Sequence, residues 1–113
     1  MVVDNANAFL TVNQYEFGDA GKLLSSSGHL ASVERAEGKK VAWRVPTEVL
    51  ETLIKTKDLL IVGGDGFAAA HSVDDGQMLW RQEVDGRVRG LAAAANRLYV
   101  STDAGLIYCF GKP

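Results

Sequence analysis

The stretch that decides the fold is residues 66–80, which read GFAAAHSVDDGQMLW. A glycine opens a short apolar run, the acidic turn Asp74-Asp75-Gly76 follows, and apolar residues return up to Trp80. Short apolar runs bounded by glycine and aspartate are typical of strands that end at tight turns. The stretch therefore predicts two β-strands joined by a tight connection.

The same pattern recurs along the chain. Gly28, Gly66 and Gly105 each open an apolar run, and they are separated by 38 (66 − 28) and 39 (105 − 66) residues. A second shared piece leads into two of these glycines, as LLIVGGDG at residues 59–66 and RLYVSTDAG at residues 97–105. Because several features keep one register, the chain is predicted to be built of repeats.

A repeat of this length with several short strands is typical of a β-propeller, whose blades have about four strands and roughly 40 residues each. The sequence therefore predicts an all-β fold of four-stranded antiparallel blades in a single partial propeller domain, residues 1–113. The units are residues 1–45, 46–84 and 85–113. They amount to about two and a half to three blades, whereas a ring needs about four to eight. We therefore expect an incomplete ring whose open strand edges pair with further blades or with another copy.

One motif within the repeat resembles a known family. Residues 70–80, AHSVDDGQMLW, resemble the tryptophan-docking motif of the pyrroloquinoline-quinone-type propeller repeat, Ala-x-Asp-x-x-Thr-Gly-x-x-x-Trp. Ser72 stands in place of the aspartate and Asp75 in place of the threonine, and residues 32–43 form a looser copy. The resemblance implies that each tryptophan packs across a blade boundary. The residues it marks as structural docking residues are Ala70, Gly76 and Trp80, together with Gly38 and Trp43.

Local patterns give further expectations about the strands. Residues 47–54, TEVLETLI, carry a helical spacing of apolar residues, but the repeat register favours the innermost strand of a blade. Residues 63–66, GGDG, are expected to form a strand-end turn, and Pro46 to break the strand ladder. Asp85-Gly86 is expected to turn the chain into the third unit.

Residues 14–27, QYEFGDAGKLLSSS, have no counterpart in the other copies. The GDAG segment predicts a hairpin between residues 14–17 and 22–25. Insertions in repeat proteins often lie on the binding face, which makes Tyr15, Phe17 and Lys22 candidate interaction residues. The alternative is a loop without a binding role.

Composition limits the classes of function. The formal net charge is −2 and the 12 basic residues are dispersed, so no nucleic-acid partner is expected. No apolar run approaches the roughly 20 residues of a membrane span, so no membrane insertion is expected. No signal peptide is recognised at the N-terminus, and the compartment stays undecided. Cys109 is the single cysteine and is expected to be buried, and His71 to be a partly exposed strand residue.

These observations favour a non-catalytic, quinoprotein-like propeller module for protein-protein interaction or scaffolding. Its partners are another protein, additional blades or a second copy, and no cofactor, metal or catalytic residue is predicted. The family resemblance also implies an alternative, a fragment of an oxidoreductase that uses pyrroloquinoline quinone and calcium, with its catalytic blades elsewhere. A cysteine pair found in many such enzymes cannot form from Cys109 alone.

Overall fold

The computed structural model describes residues 2–4, 6–35, 40–94 and 97–111, and in these the fold is all-β, as predicted. The strands form two antiparallel sheets. The first sheet has the order β1-β2-β3-β4 and the second the order β5-β6-β7-β8-β9. No helix in the described part of the chain is long and apolar enough to cross a membrane. The strands of the first sheet are β1 (Val2–Val3), β2 (Asn7–Phe17), β3 (Leu23–Glu34) and β4 (Val41–Thr47), and those of the second are β5 (Leu50–Lys55), β6 (Leu59–Ser72), β7 (Met78–Ala94), β8 (Arg97–Thr102) and β9 (Ile107–Gly111).

The predicted hairpin within residues 14–27 is confirmed, but it is not a separate insertion. Gln14 pairs with Ser27 and Phe17 with Leu23, and the same ladder continues down to Asn7 and Glu34. The short 3₁₀ turn Asp19–Gly21 closes the hairpin. Residues 14–27 are therefore the outer end of a long two-stranded ribbon formed by β2 and β3.

Pro46 does not break the strand ladder, contrary to expectation. It lies within β4 and is paired with His29, and the ladder continues to Thr47. Because β4 is an edge strand of the first sheet, one side of its backbone has no strand partner and a missing N–H is tolerated there.

Residues 50–54 form a strand, as the repeat register favours, and the helical alternative is wrong; Thr47 instead ends β4, and residues 48–49 connect the two strands. Leu53 of β5 pairs with Val62 of β6, and Ile54 pairs with Ile61. Adjacent strand residues face opposite sides of a sheet, so the apolar run can serve the packing on both faces.

Residues 63–66 form no strand-end turn, so the prediction of a turn at the GGDG segment is wrong. β6 runs through them, with a register shift between Asp65 and Phe67 and a φ of +87° at Gly66. A side chain at Gly63 would overlap that of Val88, and one at Gly64 would overlap the ring of Phe67. These two glycines permit close packing, and at Gly66 the register shift places residues 84–86 of β7 opposite one residue of β6.

Asp85-Gly86 likewise does not end a strand. β7 continues from residue 78 to residue 94, pairing first with β6 and then with β8. Gly86 has a φ of +92°, and the Asp85 N–H donates to the hydroxyl of Tyr108 at 3.0 Å. The glycine bends β7 without interrupting it.

Two hydrophobic cores result from these bends. The first core joins the first sheet to β5 and β6, and the second joins β6 and the early part of β7 to the later part of β7, β8 and β9. The most deeply buried members of the first are Phe9, Leu30, Leu60 and Val62. Those of the second are Ala68, Val88 and Val100. Three groups of strands are thus stacked, and the middle group is covered on both sides.

Cys109 is exposed, so the expectation of a buried cysteine is wrong. Tyr108 and Phe110, its neighbours on β9, pack against the second core. Since side chains alternate along a strand, Cys109 must face away from that core.

Candidate functional site

Trp43 connects the two sheets. Its indole N–H donates to the backbone carbonyl of Val73 at 3.0 Å, and its ring lies 6.3 Å from that of Phe9, centroid to centroid. A Cβ atom placed on Gly76 would lie 2.5 Å from Cε3 of the indole. The tryptophan of β4 therefore rests on the turn between β6 and β7.

The turn beneath Trp43 is held by its own polar groups. His71 is 6% exposed, which corrects the expectation of partial exposure. Its Nδ1 lies 2.8 Å from the carbonyl oxygen of Gly76. A carbonyl only accepts, so Nδ1 carries the proton and donates. Asp75 accepts the N–H of Gln77 at 2.9 Å, so its carboxylate serves the backbone of the turn.

Trp80 lies one repeat later and has a different environment. It is half-buried against the second core, and its ring packs edge-on against Phe110 at 5.4 Å. Ala70 is paired with Trp80 across β6 and β7 and is buried. Gly38, the remaining predicted docking residue, lies outside the described residues.

A cleft of about 470 Å³ lies beside Trp43, between β4 and the strands β6 and β7. Phe67, Ala69 and Leu50 contribute apolar surface, and His71 and Arg81 contribute polar groups. The guanidinium of Arg81 lies 4.2 Å from the centre of the Phe67 ring.

Arg81 is already paired within the cleft. It contacts Glu48 at 2.6 Å and Glu83 at 2.9 Å, and the hydrogen bonds that its guanidinium donates to Glu83 and to Glu48 raise its pKa. Its charge is therefore largely balanced inside the chain, and the cleft is a mainly apolar groove.

The described residues form no group of three or more histidines, cysteines, aspartates or glutamates that could hold a metal ion.

The outer end of the β2–β3 ribbon, here called the hairpin tip, carries Tyr15, Phe17, Lys22 and Leu23. The side chains of Tyr15, Phe17 and Leu23 are 51%, 62% and 50% exposed, and Lys22 is exposed. The two aromatic rings lie 6.4 Å apart, centroid to centroid. Tyr15 and Phe17 are two residues apart on one strand, so both rings stand on the same face.

Sequence reasoning did not single out Asn13, which forms a second link between the sheets. Its side chain donates to the carbonyl of Leu50 at 2.8 Å and accepts the N–H of Leu50 at 3.1 Å. Asp103, at the matching place after β8, accepts the N–H of Arg87 at 2.8 Å. Asn13 and Asp103 each lie three residues after an apolar residue at the same place in the repeat, Leu10 and Val100, and this spacing was the available signal.

Neither a scan against protein-family models nor a search of curated proteins finds a match for this chain.

Proposed function

We propose that this chain is a non-catalytic, propeller-type repeat module that binds a protein partner through the hairpin tip. The observation that carries the proposal is the exposed pair Tyr15 and Phe17, which occupies one face at the end of a protruding ribbon. Aromatic side chains dominate the binding energy of many protein interfaces. Because a paired ribbon holds them, they are presented with little further ordering on binding.

The placement of Trp43 supports the propeller-type description. Its ring spans from one group of strands to the next and rests on a glycine turn, as the family resemblance implies for a docking tryptophan. Stacking of three strand groups through two separate cores also fits a succession of blades. Such a scaffold would fix the ribbon at its base and leave its tip free.

The binding role is tested by selecting peptides from a random phage-displayed library on the wild-type protein. Selected peptides are then measured by biolayer interferometry on wild type and on Tyr15→Ser/Phe17→Ser. We expect affinity to fall at least about tenfold on the double variant, as for loss of interface anchors. Leu79→Ser is the matched control, since Leu79 is 58% exposed on β7, and it should bind normally.

Selected peptides that bind the double variant as well as they bind wild type would refute the hairpin tip as a binding surface, and so would the absence of any enriched peptide. Titration with pyrroloquinoline quinone and calcium distinguishes the binding module from the oxidoreductase fragment. A saturable change in quinone absorbance would favour the oxidoreductase fragment over the binding module.

A further inference from the structure

Two sheet faces of the molecule are mainly apolar and have no partner within the described residues. The rear face, as named here, is the side of β8, β9 and the end of β7 that points away from the second core. The front face is the side of the first sheet that points away from the first core. The rear face comprises Ala92, Ala94, Tyr99, Ile107 and Cys109 together with the polar residues Arg97 and Ser101. The front face comprises Val3, Ala8, Leu10, Val12, Ala31, Val33 and Val41 together with the polar residues His29 and Arg44.

The rear face matches a surface that is buried one repeat earlier. Ala68 is 0% exposed in the second core, whereas Ile107, 39 residues later (107 − 68), is 78% exposed. Ile61 is 5% exposed, and its counterpart Tyr99, 38 residues later (99 − 61), is 39% exposed. Ala70 is buried as well, while its counterpart Cys109 is exposed. The same surface is thus covered in one unit and open in the next.

The front face corresponds to surfaces that are buried in the two later strand groups. Val62 and Ala69 of the middle group pack into the first core, and Val100 and Tyr108 of the last group pack into the second. Their counterparts in the first sheet are Leu10 and Ala31, which are paired with each other across β2 and β3 just as Val100 and Tyr108 are paired across β8 and β9.

The front face is correspondingly less covered than these counterparts. Leu10 is half-buried, whereas its counterparts Val62 and Val100 are almost fully buried. On the same face Ala31 is buried, while Val12 is 40% and Val3 is 52% exposed. Among the residues that the structure describes, no strand group packs on this face of the first sheet.

We propose that the rear face of one chain packs on the front face of a second copy, so that two copies associate head to tail. This proposal rests on the propeller-type stacking of the proposed function. A second copy is the partner that fits, because it repeats the two interfaces inside the chain. In each of those interfaces the rear surface of one strand group packs on the front surface of the next, and a second copy offers such a front surface. A head-to-tail pair repeats the same contact twice around a two-fold axis. Two copies bring a number of strand groups within the range of about four to eight that closes a propeller.

The proposal is tested first by multi-angle light scattering on a sizing column over a concentration series, with a reductant present. We expect wild type at twice the 12.1 kDa chain mass. Ile107→Glu on the rear face and Leu10→Glu on the front face should each give monomers. Phe17→Glu is the control on the hairpin tip, and it should leave the mass at that of the dimer.

Mixing the two monomeric variants distinguishes head-to-tail packing from other dimers. The intact rear face of Leu10→Glu can pack on the intact front face of Ile107→Glu, so the mixture should regain dimer while neither variant does so alone. Circular dichroism checks that each variant is folded. If Leu10→Glu is unfolded, Val12→Glu at the rim of the front face replaces it.

Cys109 gives a second readout, because it is the single cysteine and lies on the rear face. Its reaction with a maleimide should slow at least about tenfold in the dimer relative to Ile107→Glu, as expected for a site covered by an interface. Oxidation should not link two chains through Cys109, since each rear face meets a front face.

A wild-type monomer at all concentrations, a dimer unaffected by Ile107→Glu, or variants that fail to complement each other would overturn the proposal. These outcomes are separate from those for the hairpin tip. Peptide binding can be lost in Tyr15→Ser/Phe17→Ser while the mass stays that of a dimer, and the mass can fall in Ile107→Glu while peptide binding persists.

Discussion

Replacing Gly76 with alanine should destabilise the protein mainly by displacing Trp43. Gly76 has a φ of +76°, which costs an L-residue about 1–2 kcal/mol. The added Cβ would lie 2.5 Å from Cε3 and 2.6 Å from Cζ3 of the indole, whereas carbon atoms in contact are about 3.5–4.0 Å apart. The ring is held by its hydrogen bond to Val73 at 3.0 Å. Overpacking of this kind typically costs about 1–3 kcal/mol, so the total loss is about 2–5 kcal/mol.

Gly105→Ala is the matched control. Gly105 has a φ of +81°, and a Cβ there would have nothing within 4 Å. This variant should therefore lose only the backbone contribution of about 1–2 kcal/mol. Urea unfolding followed by far-ultraviolet circular dichroism measures the free energy of unfolding of each variant. We expect the slope of that free energy with urea to stay constant, so a shift in the midpoint reports a change in stability.

The Trp43→Ala background isolates the contact itself. Without the indole, Gly76→Ala should cost no more than the backbone contribution, so the double-mutant cycle should give a coupling energy of about 1–3 kcal/mol. Equal losses in Gly76→Ala and Gly105→Ala, or a coupling near zero, would refute the packing of Trp43 on this turn.

Three further outcomes are expected. Asn13→Ala should lower the free energy of unfolding by about 1–3 kcal/mol, because it leaves the N–H and carbonyl of Leu50 without their partner; Asn13→Asp, which also sets a carboxylate against that carbonyl, should lose more in urea unfolding at neutral pH. His71→Leu should cost about 1–3 kcal/mol, since the buried carbonyl of Gly76 loses its donor; an unchanged urea midpoint would contradict that bond. Hydrogen bonds from the N–H groups of Asn7 and Ala6 lower the pKa of Asp4 below its ordinary 3.8, so its stabilisation is complete above that value and is lost as the pH falls through the lowered pKa. The stability difference between wild type and Asp4→Asn should therefore shrink on acidification from about pH 6 to about pH 2, and a constant difference would count against it.

The strand content could be predicted because its signals are local. Turn residues at 74–76 and 18–21 mark the two hairpins, and both hairpins are present. Residues 47–54 were ambiguous on their own, and the repeat register correctly favoured a strand for residues 50–54.

The bends in the long strands were mistaken for turns because a glycine with positive φ serves either purpose. Gly66 and Gly105 share a place in the repeat and similar φ values, +87° and +81°, yet β6 continues through Gly66 while Gly105 lies between β8 and β9. The difference depends on what packs against the neighbouring residues, such as Val88 against Gly63.

The burial and contacts of individual side chains could not be predicted from the sequence. His71 is buried and Cys109 exposed because the middle group of strands is covered on both sides and β9 lies at an edge. The role of Asn13 depends on the approach of β5, whose residue Leu50 is 37 positions away. No local sequence pattern predicts a contact between residues so far apart in the chain.

β7 belongs to two groups of strands at once, pairing with β6 up to Arg87 and with β8 from Val88 onward. In most repeat proteins a unit can be removed or duplicated, because each one contributes its own folding energy and a contact with its neighbour. Here a cut at residues 85–86 would divide a single strand and leave both groups with a frayed end. The natural module for recombination therefore ends elsewhere, in the short connection at residues 48–49, and the last two groups should be inherited, folded and lost together.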